Sequence, residues 1–277
     1  MSTANVNGTA IYHDEIGAGP ACLVLHGGLG LDHTSYRGLD MLADRLRMIY
    51  YDHRGNGRSG RPPLDTITMA QLADDAAALA TCLNADPVVV IGHSYGGFVG
   101  QELALRHPDK IAALILADTS AGGPGATDSP DDDQGPPPPP EWLAAVTARP
   151  RDDAEFAAGL RALLPHYLGE PGNLATVTAA FENTIFDART MVRSMEVLAT
   201  WSAADRLPAI RVPTLVVVGA RDRITHPAQT RRIARRIPGA EVVELPRSGH
   251  FPWLEEPDRF ATAVRGWLAD RLTTAAR

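Results

Sequence analysis

Short runs rich in valine, isoleucine and leucine recur along the chain at 22–25, 48–51, 88–91, 111–116, 214–218 and 242–245. Each has strand length, and most are unbroken by polar residues, the pattern of strands buried on both faces. Between and after them, 69–83, 98–106, 228–237 and 257–272 carry apolar residues at helical spacing. Strands alternating with helices predict parallel pairing through right-handed crossovers, and hence an α/β fold built on a doubly wound sheet. Segment 9–16 alternates more strictly and precedes a turn at 17–20, which predicts an antiparallel edge hairpin.

The alternation stops after Asp118 and resumes near Val212. Its first stretch carries an acidic run at 131–133 and five prolines at 136–140, a composition too poor in apolar residues to order itself. Residues 121–140 are therefore expected to form a flexible lead-in to an insertion. From 141 to 206 the spacing is helical again, around Trp142, Leu143 and Val146, then Phe156, Leu160, Leu163 and Leu164, then 177–186 and 191–201. The expected organisation is one core domain of 1–120 and 207–277 with an inserted helical lid over 121–206.

The 277 residues carry a formal net charge of −7, which argues against nucleic acid or an anionic membrane surface as partner. No run of eighteen apolar residues and no basic leader with an apolar stretch appears, so the cytoplasm is the expected compartment. Two cysteines, Cys22 and Cys82, make no disulfide framework. The nine histidines show no zinc-ligand spacing, so no metal is expected. Oligomeric state is not legible from these features.

The chemistry is concentrated in the loops after the strands. Run 88–91 is followed by Gly92-His93-Ser94-Tyr95-Gly96-Gly97 and then by helical spacing. A G-x-S-x-G sequence at a strand-to-helix junction is a nucleophile elbow, in which small neighbours let the chain turn sharply and present the serine. A serine hydroxyl is a weak nucleophile, so it needs a general base and a carboxylate to orient that base. Asp222 stands just past run 214–218, and His250 follows 28 residues later, just past run 242–245. Ligands of open α/β sheets bind at that edge. Ser94, Asp222 and His250 are thus the candidate triad, although each residue read singly also suits a turn or a cap. The developing oxyanion needs donors, for which the candidates are the N–H of Tyr95, after the nucleophile, and that of Gly28 in His26-Gly27-Gly28-Leu29-Gly30, with Gly27 next.

Together with Asp52-His53-Arg54-Gly55-Asn56-Gly57-Arg58-Ser59, Gly219-Ala220-Arg221-Asp222 and the segment 248–257, these motifs resemble the α/β-hydrolase superfamily over nearly the whole chain outside the insertion. The HGG loop, the segment 52–59 and Phe181-Glu182-Asn183 are similar to proline iminopeptidases, whereas Leu29, His93 and Tyr95 depart from that pattern and the elbow is also similar to esterases, lactonases and carbon-carbon bond hydrolases. The resemblance implies a serine hydrolase that needs no cofactor and acts on an ester, lactone or amide of a small molecule. It also implies that Glu182 binds a substrate amino group if the iminopeptidase likeness extends to activity. The alternatives are an esterase, lactonase or carbon-carbon bond hydrolase without aminopeptidase activity, or a ligand-binding protein on a hydrolase scaffold. Trp142, Trp201 and Trp253 are candidate pocket walls, and simple packing explains them equally well. Segment 52–59 is read as structural bracing for the HGG loop, and the mechanism requires nothing of His93 or His226.

Overall fold

The computed structural model describes residues 2–122 and 139–272. Eight strands form one sheet: β1 (Ser2–Val6), β2 (Thr9–Ile16), β3 (Ala21–Leu25), β4 (Arg47–Tyr51), β5 (Val88–His93), β6 (Ile111–Ala117), β7 (Thr214–Gly219) and β8 (Glu241–Leu245). Their spatial order is β1-β2-β4-β3-β5-β6-β7-β8, antiparallel at β1-β2 and β2-β4 and parallel from β4 to β8. The parallel strands are the apolar runs, each extended by a residue or two at most.

Between and after them lie α1 (Met69–Cys82), α2 (Tyr95–Arg106), α3 (Pro140–Thr147), α4 (Asp153–Tyr167), α5 (Leu174–Ala180), α6 (Ala188–Leu198), α7 (Pro227–Arg236), α8 (Pro252–Glu255) and α9 (Pro257–Leu272). Thr68 starts α1 because its side chain accepts the Gln71 N–H at 3.1 Å, closing one of the donors a helix leaves open. Successive strand residues point to opposite faces, so the sheet makes two cores. Leu23, Leu25, Val90, Leu116 and Val216 pack with α1 and α2 residues on one side, and Cys22, Val24, Ile91, Ile115 and Val217 pack with Trp253, Phe260 and Val264 on the other.

The amino-terminal hairpin differs from its expected form. Segment 9–16 is antiparallel, but its hairpin partner is β1, before it, and the turn is Asn7-Gly8, both with positive φ (47° and 77°). Such a two-residue turn matches the twist of the strands it joins. β2 is therefore an inner strand and β1 the edge. β1 escapes notice because only Ala4 and Val6 of its five residues are buried.

α3 to α6 all lie between β6 and β7, and the two ends of that stretch meet: Ala203 N–H donates to Ala121 C=O at 2.7 Å beside a bridge between Gly122 and Ser202. Most of the expected flexible lead-in, 123–138, lies outside the described residues. No helix among the described residues is long and apolar enough to cross a membrane.

Candidate active site

Ser94 joins β5 to α2 with φ 51° and ψ −117°, a conformation that costs a non-glycine residue about 1–3 kcal/mol. The neighbours hold it there. Its N–H donates to Ala117 C=O of β6 at 3.1 Å, and its C=O accepts the Thr119 hydroxyl at 2.8 Å. Gly96 has to lack a side chain, since a Cβ there would lie 1.9 Å from the Leu25 carbonyl oxygen. The turn thus presses against the end of β3, which carries the HGG loop.

Asp222 and His250 come together from the loops after β7 and β8. His250 Nδ1 lies 2.8 Å from Asp222 Oδ2, and both side chains are buried. The other carboxylate oxygen accepts the N–H groups of Ile224 (2.7 Å) and Thr225 (3.1 Å), which fixes the rotation of the group. His250 is fixed through its own backbone, whose N–H donates to Tyr167 C=O at the end of α4 at 2.7 Å. Glu255 clasps the same loop, accepting from Gly249 N–H (2.9 Å), Phe251 N–H (3.3 Å) and Gly169 N–H (2.8 Å). Burial raises the Glu255 pKa above its usual range against the lowering effect of those bonds.

Gly28 has φ +73°, and its N–H has no acceptor among the described residues. The Gly27 N–H is already committed, donating to the Tyr36 hydroxyl at 2.5 Å. Tyr95 is the first residue of α2, where a helix N–H has no intrahelical acceptor. Gly28 and Tyr95 thus both offer free amides beside the elbow.

Segment 52–59 braces the HGG loop as expected, with Asp52 bonding the backbone of His33 and Arg58, and His53 bonding the loop itself. Asp52 Oδ1 accepts from His33 Nδ1 (2.6 Å) and Oδ2 from Arg58 N–H (2.7 Å). His53 N–H donates to His26 Nε2 and His53 Nε2 to His26 C=O, each at 3.1 Å. Arg54 does not brace the loop; it forms a buried ion pair with Asp75 of α1 at 2.5 Å.

The remaining candidates separate. Glu182 lies just past α5 with an exposed side chain that makes no hydrogen bond or ion pair among the described residues, while its backbone N–H donates to Ala179 C=O at 3.2 Å. Trp142 is half-buried and donates from its indole to Tyr167 Oη at 2.7 Å, and the Tyr167 ring is 5.4 Å from His250. Trp201 lines a groove of about 330 Å³ with Glu102, Arg193 and Arg206, to which Ser94, Asp222 and His250 contribute nothing. Trp253 is 2% exposed and packs on Tyr36, His93, Phe251 and Phe260, so it is core rather than pocket wall. Tyr36 and Glu255 were hidden in the sequence because their contacts arise only from tertiary packing. His93 stood in plain view beside the serine.

This sheet, with its serine elbow and its Asp-His pair on neighbouring loops, is that of an α/β hydrolase. Residues 20–257 match the family described as alpha/beta hydrolase fold, and the chain belongs to it as an enzyme of that family. Among its relatives is RutD of Caulobacter sp. (strain K31), which carries the name of a carbamate hydrolase, 30% identical over 97% of this chain and 98% of that one. A proline iminopeptidase of Heyndrickxia coagulans is 26% identical over 92% of each chain. The enol-lactonase of Burkholderia xenovorans LB400 superposes with a TM-score of 0.78 at 29% identity, over 97% of this chain and 100% of that one.

Proposed function

We propose that this chain is a serine hydrolase that cleaves an ester or lactone bond of a small molecule through an acyl-enzyme on Ser94. The observation that carries the reading is the buried 2.8 Å contact between His250 and Asp222 on the sheet edge where Ser94 stands in its strained turn. His250 takes the Ser94 proton as the hydroxyl attacks the carbonyl, then returns it to the leaving alcohol. Asp222 holds the imidazole in the tautomer whose Nδ1–H faces the carboxylate. The N–H groups of Gly28 and Tyr95 receive the developing oxyanion, and water then releases the acid.

The inserted helices serve as the lid of 121–206 over the core of 1–120 and 207–277. Ester and lactone chemistry agrees with the name of the Burkholderia neighbour. The exposed Glu182 offers no water-poor carboxylate for a substrate ammonium, which weighs against an aminopeptidase.

Fluorophosphonate labelling followed by peptide mapping tests the nucleophile, and a panel of short acyl esters, lactones and prolyl naphthylamide tests the substrate class. Label on Ser94 with turnover of esters or lactones is expected. An unlabelled Ser94 in folded protein removes the hydrolase reading, and turnover confined to prolyl naphthylamide removes the ester and lactone reading.

A further inference from the structure

His93 precedes the proposed nucleophile, is 2% exposed and joins two backbone groups from distant loops. Its Nε2 is 2.7 Å from the carbonyl oxygen of His250, and its Nδ1 is 2.6 Å from the hydroxyl of Tyr36, which in turn lies 2.5 Å from the N–H of Gly27. Backbone chemistry fixes the direction of every bond in this chain. The His250 carbonyl can only accept, so the His93 proton is on Nε2. Nδ1 then carries a lone pair and accepts from Tyr36, while the Gly27 N–H can only donate, so the Tyr36 oxygen accepts it. The whole chain is satisfied by neutral His93 alone. Burial, then the neighbouring His250, push the His93 imidazole well below its ordinary pKa, in keeping with that state.

The packing leaves the chain little freedom. Tyr36 stacks on Trp253 at 5.1 Å, and His93 meets the same indole edge-on at 4.6 Å. A Cβ on Gly27 would lie 2.7 Å from the Tyr36 hydroxyl and 2.9 Å from His93 Nδ1, so this approach needs a glycine.

We propose that Tyr36 and His93 are positioning residues that lock the HGG loop to the loop of the catalytic base, so that the Gly28 amide and the His250 imidazole keep one fixed spacing across Ser94. This role rests on the serine hydrolase reading. Neither residue touches substrate. Engaging the Gly27 amide holds the His26–Gly27 peptide, one residue ahead of the Gly28 amide, and engaging the His250 carbonyl holds the backbone from which the base projects. A loosened oxyanion donor lowers the rate of the chemical step more than it weakens substrate binding.

The test is Tyr36→Phe, which keeps the ring on Trp253 and removes the one oxygen, compared with the unaltered enzyme on an ester it turns over. The expected result is a fall in kcat of about ten- to a hundredfold with KM changed by less than about threefold, and slower fluorophosphonate labelling of Ser94. A purely structural role would lower the melting temperature and leave kcat untouched. Should Tyr36→Phe not fold, His93→Gln, which keeps a donor near the His250 carbonyl, is held to the same criterion. A folded variant with kcat within twofold of the original overturns the proposal while leaving the hydrolase reading intact. Failure of the unaltered enzyme to label at Ser94 overturns the hydrolase reading, and this role with it.

Discussion

Asp118 and Asp222 bury two carboxyl groups beyond the ends of neighbouring strands, and the charge of Asp222 reinforces what burial does to Asp118. Burial first, then Asp222, raise the Asp118 pKa well above its ordinary 3.8, against the lowering effect of the Gly219 N–H. One of its oxygens accepts that N–H at 2.7 Å, and the other is buried with no partner among the described residues. Burial and the neighbouring carboxylate both favour the protonated form of Asp118.

An acid with a raised value keeps its proton in the fold after the unfolded chain has released its own. The stability linked to that proton is complete below 3.8 and is lost as pH rises through the raised value. Asp118→Asn, neutral at every pH, should therefore gain in melting temperature relative to the original chain as pH rises above 3.8, with kcat kept within about threefold. A difference independent of pH, or a tenfold loss of activity, would mean that Asp118 acts as a charge.

Ser94→Ala should abolish turnover without disturbing the fold, since the Ser94 hydroxyl makes no hydrogen bond among the described residues. The loss expected is on the order of 10⁶, by analogy with serine proteases. Asp222→Asn should cost on the order of 10⁴. Its amide oxygen will turn toward the two N–H groups of Ile224 and Thr225, which leaves the NH₂ against His250 and favours the wrong imidazole tautomer. Ester hydrolysis and thermal melts on the same samples check both, and one percent residual activity in Ser94→Ala would reassign the nucleophile.

Gly96→Ala should fail to give a folded protein, or should melt at least about 10 °C lower. The obstacle is main chain, the Leu25 carbonyl at 1.9 Å, which cannot rotate away as a side chain would. A variant as stable as the original would show that the end of β3 yields.

Glu182→Gln should leave ester hydrolysis within about twofold and should change nothing specific to substrates with a free amino group, because the side chain is exposed and has no partner among the described residues. A tenfold rise in KM confined to amino-terminal substrates would restore the aminopeptidase reading.

Strands β3 to β7 were legible because their burial writes itself as apolar runs, whereas β8 has only Leu245 buried and showed through Val242, Val243 and Leu245 alone. Ser94, Asp222 and His250 were proposed because each stands shortly after such a run. β1 was not legible, since two buried side chains in five residues make too faint a pattern. α2 was predicted to begin at Phe98, three residues late, because Gly96 and Gly97 have poor helix propensity and are retained for close approach to β3 and Thr119. The pairing of His93 with the His250 carbonyl spans 157 residues and exists only once β5 and β8 share a sheet. No local spacing encodes such a contact. The same is true of Arg54, whose Asp75 partner lies on a helix 21 residues onward.

The amino end of α6 rests directly on the HGG loop. Asp187 N–H donates to Gly30 C=O at 2.8 Å, and a Cβ on Gly30 would lie 2.3 Å from the Asp187 carbonyl oxygen. Under the proposed mechanism, the segment that would have to shift to admit a bulky substrate is bonded two residues away from the amide that receives the oxyanion. A poorly fitting compound that pries α6 outward would then drag that amide off target in the same movement. Selectivity would be enforced at turnover, with misfits held about as tightly as true substrates but processed slowly.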